Sequence, residues 1–458
     1  MVALSRSMWW LVCCMALCTV VVGEEILLKW HVKINNGITP VSQDQPRAGG
    51  GFGPIQINNM IAIDVPFPKP EQEFDLLIGD WYRQSFKDVR ATGGVGYFPD
   101  SMLINGKGPY LDPLSKAHES FNVSKGKTYR FRISNVGNLW SINFRIQNHT
   151  MLLVETEGSY TNQVSLDSLD VHVGQSYSVL VTADQNAEDY YIVATPKWVN
   201  MTKPNAIAAV GVLHYDNSNT TASGPLPNGP DPFDIGFSLN QARSIKWNLT
   251  AGASRPNPQG TFNVSNVTLS QTFVLHGSFA LINGSPRYTV NNVTYTTPST
   301  PLKLADQFLN GSGVYELDAF PVHSSLPDPV KGTFVVSGEW TPEARSTAYN
   351  FYDPIVRSTV QVYPGGWSAV YVYLDNPGMW NLRSQNLQHW YLGQELYIRV
   401  NDPDPNPAKE HPPQITSCFA VVYCNWMHSC DPVKWRYHSG FNRIFLNVNK
   451  IGVSISRK

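Results

Sequence analysis

Charge is scarce in this chain. Asp, Glu, Lys and Arg make up 15% of its 458 residues, against about 25% in an average globular domain. Its 34 basic and 35 acidic side chains leave a formal net charge of −1, so it offers no basic stripe for a nucleic-acid backbone. Paired histidines are missing as well. None of the 11 histidines stands two positions from another, which excludes a metal cluster built on His-x-His pairs. Six cysteines occur, Cys13, Cys14, Cys18, Cys418, Cys424 and Cys430. The last three lie near His428 and His438, but no close Cys-x-x-Cys pair supports a zinc site. Phosphate loops are absent too. Gly126-Lys127-Thr128 has Phe121 where the first glycine is required, and the glycine run Gly49 to Gly53 continues into Pro54. Long helical periodicity is found nowhere.

What the chain has in quantity is aromatic residues, at 12%, with 34 glycines and 33 prolines, a mixture suited to short strands and tight turns. Tyr129, Phe131 and Ile133 alternate with Arg130, Arg132 and Ser134. Tyr177, Val179 and Val181 alternate in the same way, so both runs predict half-buried strands. A unit recurs around them: an apolar residue, a short turn with glycine, an aromatic, an alternating strand, then Asn or Asp. It spans Val123 to Asn135, Val171 to Asp184, and Val362 to Asn376. Repeated hairpins of this kind predict an all-β chain of tandem Greek-key sandwiches. Residues 217–232, rich in Asn, Ser, Thr, Gly and Pro, read as a linker between two of them.

The N-terminus predicts export. Arg6 precedes an apolar run from Met8 to Val22 and the small Gly23, the layout of a signal peptide over residues 1–23. That run is shorter than the roughly 20 residues needed to span a bilayer. Ten Asn-x-Ser/Thr sequons follow, at Asn122, Asn148, Asn200, Asn219, Asn248, Asn263, Asn266, Asn283, Asn292 and Asn310, as on a glycosylated extracellular surface. Asn283 is the weakest of them, because Pro286 follows its Ser285. The chain ends Ile451 to Lys458 without a long apolar tail, so no lipid anchor is expected from it.

Collinear segments then carry a family resemblance. They include Arg47-Ala-Gly-Gly-Gly-Phe-Gly53, Leu77-Ile-Gly-Asp-Trp-Tyr82, Leu103-Ile-Asn-Gly-Lys-Gly-Pro-Tyr110, Ser134-Asn-Val-Gly137, Asn143-Phe-Arg-Ile-Gln147 and Glu157-Gly-Ser-Tyr160. Further on come Asp170 to Tyr177, Asn240 to Trp247, Arg255 to Gly260, Val362-Tyr-Pro-Gly365 and Asp375-Asn-Pro-Gly378. The chain resembles the plant ascorbate-oxidase-like glycoproteins, the skewed-roots-similar or monocopper-oxidase-like family, which includes pollen-expressed members. The resemblance implies cupredoxin-like sandwiches: a remnant of the first over residues 24–66, a second over 67–216, an incomplete third over 233–402, and a tail, 403–458, that matches nothing in the family. The 24–66 stretch jumps from a first strand to a last hairpin and lacks the family's N-terminal His-x-His positions. The strand carrying its third histidine motif is likewise replaced by Pro321 to Lys331.

The most informative alignment falls between Trp380 and Gly393. Where a multicopper oxidase reads His-Cys-His, then His, then Met or Leu, this chain has Arg383-Ser384-Gln385, then His389, then Leu392. A blue copper ion needs a thiolate, two imidazoles and a weak axial ligand. Only His389 and Leu392 keep family-type residues, so these five are vestigial copper-site positions and no cofactor is expected. The acids Asp75, Asp80 and Asp100 read as solvated loop carboxylates, and His149 and His172 as exposed. The expectation is a secreted, N-glycosylated, non-catalytic component of the plant cell wall space in cell expansion or pollen-tube growth, touching wall polysaccharide or the plasma membrane surface. The alternative is a copper-dependent oxidoreductase of ascorbate-oxidase type.

Overall fold

The computed structural model describes residues 52–54, 56, 65–84, 98–108, 118–199, 208–248, 271–321, 343–374 and 377–401, with the backbone of 445–446 and 450–456. The predicted signal peptide, almost all of the 24–66 remnant, and Cys418, Cys424 and Cys430 with their neighbouring histidines lie outside the described residues.

Eleven of the described strands form one sandwich. The first sheet runs β2-β1-β4-β9-β6-β7, with β1 (Glu73–Trp81), β2 (Ser101–Ile104), β4 (Thr128–Asn135), β6 (Met151–Thr156), β7 (Ser159–Leu166) and β9 (Ser176–Thr182). The second runs β3-β11-β10-β5-β8, with β3 (Glu119–Val123), β5 (Ile142–Ile146), β8 (Leu169–Val171), β10 (Asp189–Pro196) and β11 (Ala209–Tyr215). Pairing is antiparallel except for β1 with β4 and β3 with β11. Period-two alternation puts Leu76, Ile78, Phe121, Phe131, Ile133, Phe144, Val179 and Ile192 between the sheets, all essentially buried. Each contributes about 1.5–3 kcal/mol by leaving water.

Two sequence expectations change here. The recurring glycine unit is not a hairpin, because β3 lies in one sheet and β4 in the other, and β8 and β9 are divided in the same way. These two units therefore carry the chain across the sandwich, as a Greek key requires. Gly126, Gly174 and Gly365 hold the same left-handed turn, with φ of 81°, 81° and 69°, where a Cβ would be strained. The Tyr129 hydroxyl accepts from the Ser124 amide at 2.7 Å and closes the first of these arches. The second correction concerns burial. β4 and β9 are covered on both faces, since Leu180 packs with Phe67, Val154 and Tyr160 in a second cluster. Arg130, expected on a solvated face, is 4% exposed and paired with Glu73 at 3.2 Å and Glu155 at 2.5 Å.

Beyond Tyr215 the chain runs without helix or strand to Asp234, mostly exposed but pinned to the sandwich. The Ala222 carbonyl accepts from the Tyr191 hydroxyl at 3.1 Å, and that of Pro227 from Arg145 Nε at 2.8 Å. Asp234 then caps α1 (Ile235–Ser244), accepting from the Phe237 amide at 2.8 Å.

The remaining elements assemble a smaller unit. One sheet runs β13-β12-β19-β15, from β12 (Gln271–Ile282), β13 (Ser285–Val290), β15 (Ser368–Tyr373) and β19 (Lys450–Ser456). Two-stranded pairs join β14 (Thr359–Val360) with β18 (Phe445–Leu446), and β16 (Gly378–Arg383) with β17 (Glu395–Val400). Three helices accompany them, α2 (Leu302–Leu309), α3 (Ala344–Ala348) and α4 (Leu387–Tyr391). Leu275, Val290, Val362, Val372, Leu382 and Leu396 make its core. Residues 450–456, read from sequence as part of an unmatched tail, sit in mid-sheet, antiparallel to β12 and parallel to β15.

Candidate functional site

The five positions that align with the family's copper site fall on one turn, from the end of β16 through α4 to the start of β17. Asn386 caps α4 by accepting from the His389 amide at 3.1 Å, and Gly393, with φ of 108°, turns the chain back. Ser384 is fully buried. Its amide donates to the Gln394 carbonyl at 3.1 Å, and its hydroxyl accepts from the Asn386 amide at 3.2 Å. Arg383 lays its guanidinium 3.4 Å from the centroid of the Trp390 ring, a cation–π contact. Gln385 is 4% exposed and lies against Gly174 of the larger sandwich, where a Cβ would stand 2.8 Å from the Gln385 amide carbon.

His389 stacks on Tyr288 with ring centroids 4.0 Å apart. Lost hydration lowers its pKa from the ordinary 6.5 to about 4. Its Nδ1 is buried and makes no hydrogen bond. Leu392 contributes backbone, its carbonyl accepting from the Tyr288 amide at 2.9 Å. Beside the turn, Glu395 accepts from Trp390 Nε1 at 2.7 Å, Asn381 Nδ2 at 2.6 Å and the Tyr397 hydroxyl at 3.0 Å. Among the described residues, no three His, Cys, Asp or Glu side chains converge as a metal-holding group.

The sequence reading missed a polar seam that joins this unit to the larger sandwich. Glu157 Oε2 accepts from the Ser358 amide at 2.5 Å, the Ser358 hydroxyl at 2.7 Å and the Thr359 amide at 3.1 Å. Arg357 donates to Thr156 Oγ1 at 2.8 Å and lies over the Tyr177 ring. The Leu387 amide donates to the Asn138 carbonyl at 2.9 Å. Deeper in, Asp170 accepts from Asn143 Nδ2 at 2.7 Å and from Ser238 Oγ at 2.5 Å, and it faces Lys197 Nζ at 3.5 Å. Both charged side chains are almost wholly buried. Lys197 also donates to the Asp231 carbonyl and sits near the faces of Trp198 and Phe237.

Both histidines expected on the surface are buried, His149 to 5% exposure and His172 to 3%. Alternation assigns His172 to a wet face, but Tyr363 of the smaller unit, bonded to Ser238 of α1, covers it; His149, placed on the surface by its sequon, packs instead against Tyr190 and Tyr215. The Tyr363 hydroxyl donates to the Ser238 carbonyl at 3.1 Å. His172 Nε2–H therefore donates to Tyr363 at 3.1 Å, while Nδ1 accepts from Ser141 at 2.8 Å. His149 sits between the Gln147 carbonyl at 2.6 Å and the Tyr215 hydroxyl at 2.7 Å. Asp80 is a further correction. It is 5% exposed and anchors a loop by accepting from the amides of Asn138 at 2.9 Å and Leu139 at 3.2 Å. Of the other two acids, Asp75 lies on β1 and Asp100 is exposed.

Burial takes His172 from the ordinary 6.5 down to about 4, with Asp170 opposing the shift and Arg357 and Lys197 assisting it. Between those two pH values the unfolded chain binds a proton that the folded chain refuses. Stability is therefore lost as pH falls through that window. At about 1.4 kcal/mol per unit, His172 should account for about 2–3 kcal/mol between neutral pH and the lower end. Denaturant titrations across this range should give a shallower pH dependence for His172→Gln than for the parent chain. Equal slopes would place the sensitivity elsewhere.

Of the sequon asparagines, Asn122, Asn148, Asn219, Asn283, Asn292 and Asn310 are exposed and Asn248 is half-buried. Asn200, Asn263 and Asn266 lie outside the described residues.

Two stacked-strand units joined along a polar seam place the chain among the multicopper oxidase folds. It superposes on a mutant of the laccase from B. aclada with a TM-score of 0.52, at 17% identity, over 78% of this chain and 69% of that one. The multicopper oxidase family pattern matches residues 72–218 and again 331–406. Sequence similarity narrows the class. The chain is 46% identical to monocopper oxidase-like protein SKU5 of Arabidopsis thaliana, over 82% of this chain and 72% of that protein. It is 39% identical to an L-ascorbate oxidase homolog of Brassica napus, over 80% of this chain and 72% of that protein. It belongs to the plant monocopper oxidase-like branch of the multicopper oxidase family.

Proposed function

We propose that this chain is a secreted, N-glycosylated member of the family that works in the plant cell wall space without copper chemistry, as a binding or structural component in cell expansion or pollen-tube growth. One observation carries this reading: the turn that would hold blue copper is filled with its own packing. The residues present do not fit the ion. Ser384 offers a hard hydroxyl already engaged by Asn386, Gln385 is wedged against Gly174, and Arg383 brings a permanent cation onto Trp390. Such a site needs a soft thiolate and a second imidazole, and neither is among these groups.

The sequons at exposed positions and the N-terminal apolar run support export. No helix among the described residues is long and apolar enough to cross a membrane. Trp380, Trp390 and Tyr391 around the turn are half-exposed, which suits contact with wall polysaccharide and supports the choice of partner.

A copper-dependent oxidoreductase is the second reading. The family favours it, and so does the unpaired Nδ1 of His389, held neutral by its surroundings. Oxygen uptake separates the two. Chain secreted from a copper-supplied host should consume no oxygen above background with ascorbate or a phenol, and sustained turnover would reverse the assignment.

A further inference from the structure

The apolar side chains left in water are not scattered at random. Of the eleven exposed large hydrophobics among the described residues, five stand within four positions of a sequon asparagine. Phe279 and Leu281 precede Asn283, Val293 follows Asn292, and Phe308 and Leu309 precede Asn310. The last group is the best built. Helix α2 docks through the other side: Ala305 is fully buried, and Asp306 pairs with Arg399 at 3.1 Å and accepts from the Tyr315 hydroxyl at 2.6 Å. Phe308 and Leu309 are left 53% and 47% exposed.

Asn310 follows them directly in the left-handed conformation, with φ of 48°, at the end of the helix. Its turn is rigid. The Gly311 amide reaches back to the Ala305 carbonyl at 3.0 Å, the Tyr315 amide bonds the Gly311 carbonyl at 3.0 Å, and a Cβ on Gly311 would press the Tyr315 ring. An asparagine held this way projects from a fixed platform beside two uncovered apolar side chains. Water-exposed apolar patches are costly and invite association.

We propose that Asn310 carries an N-linked glycan whose first N-acetylglucosamine packs its apolar face over Phe308 and Leu309, so that the modification covers this patch. The inference rests on the export reading, because only the secretory route attaches such a glycan. Pyranose C–H groups against an aromatic ring and a leucine withdraw apolar area from water as a protein neighbour would. Asn283, with Leu281 69% exposed beside it, has the same arrangement but is hampered by Pro286.

The test uses the full chain from a secretory eukaryotic host. Glycopeptide mass spectrometry should find Asn310 occupied. Ser312→Ala removes the sequon while keeping the left-handed asparagine. It should raise the fluorescence of an apolar-surface dye by roughly twofold or more and lower the unfolding midpoint by roughly 2–4 °C. Enzymatic removal of the glycan from the native protein should do the same, which guards against a variant that fails to fold. Combining Ser312→Ala with Phe308→Ser and Leu309→Ser should return dye binding to the parent level. An unmodified Asn310 on a chain glycosylated at Asn122 or Asn148 overturns this proposal alone, as does glycan loss that changes neither dye binding nor midpoint. A chain carrying no N-glycan at all overturns both this proposal and the export reading.

Discussion

Asp170→Ala should cost about 3–5 kcal/mol of stability, the range for removing one partner of a buried ion pair. Lys197 would then be an ammonium with 1% of its side chain exposed and no ion-pair partner among the described residues. The Asp231 carbonyl and the faces of Trp198 and Phe237 replace only part of what is lost. Asn143 and Ser238 would also lose the acceptor that joins β5 to α1. Urea titration of parent and variant at neutral pH measures the difference. Lys197→Met in the Asp170→Ala background should recover much of it, because an apolar side chain of similar length needs no counter-charge. A loss below about 1 kcal/mol would mean the pair is solvated in a way its burial does not show.

Glu157→Ala should be the second large effect, about 2–4 kcal/mol, and it should act between the two units. One carboxylate oxygen takes three hydrogen bonds from Ser358 and Thr359. Removing it strands two backbone amides and a hydroxyl in a half-buried seam and deprives Arg357 of a neighbouring negative charge. The larger sandwich keeps its core, so only the smaller unit should loosen. Limited proteolysis should cut first in the segment around Arg357 to Thr359, at a rate at least several-fold above the parent, while fragments spanning Glu73 to Tyr215 persist. Simultaneous loss of both units would contradict this.

Strands and turns were open to reading in the sequence, because alternation and left-handed glycines are local properties. Tyr129, Phe131 and Ile133 sit between the sheets as their spacing implies, and Gly126, Gly174 and Gly365 share one conformation. Which sheet the next strand joins is not local. The glycine units therefore read as hairpins when they are crossings between sheets. For the same reason Arg130, His149 and His172 read as surface residues. Their burial depends on partners far away in the chain, such as Glu155, Tyr215 and Tyr363. Family resemblance picked out Arg383, Ser384, Gln385, His389 and Leu392, which the structure sets on the turn between β16 and β17. It passed over Lys450 to Ser456, whose Ile451, Val453 and Ile455 alternate as a strand should and stand in register with Leu275, Phe273 and Gln271 of β12.

Copper content is the most direct measure of the central claim. The full chain, secreted with copper supplied and dialysed without chelator, should contain well under one equivalent of copper by elemental analysis. It should show no blue thiolate-to-copper absorption, since Ser384 has no sulfur to donate. One tightly held equivalent of copper, resistant to dialysis and lost on His389→Ala, would contradict the account. It would show that the turn between β16 and β17 remains a metal site.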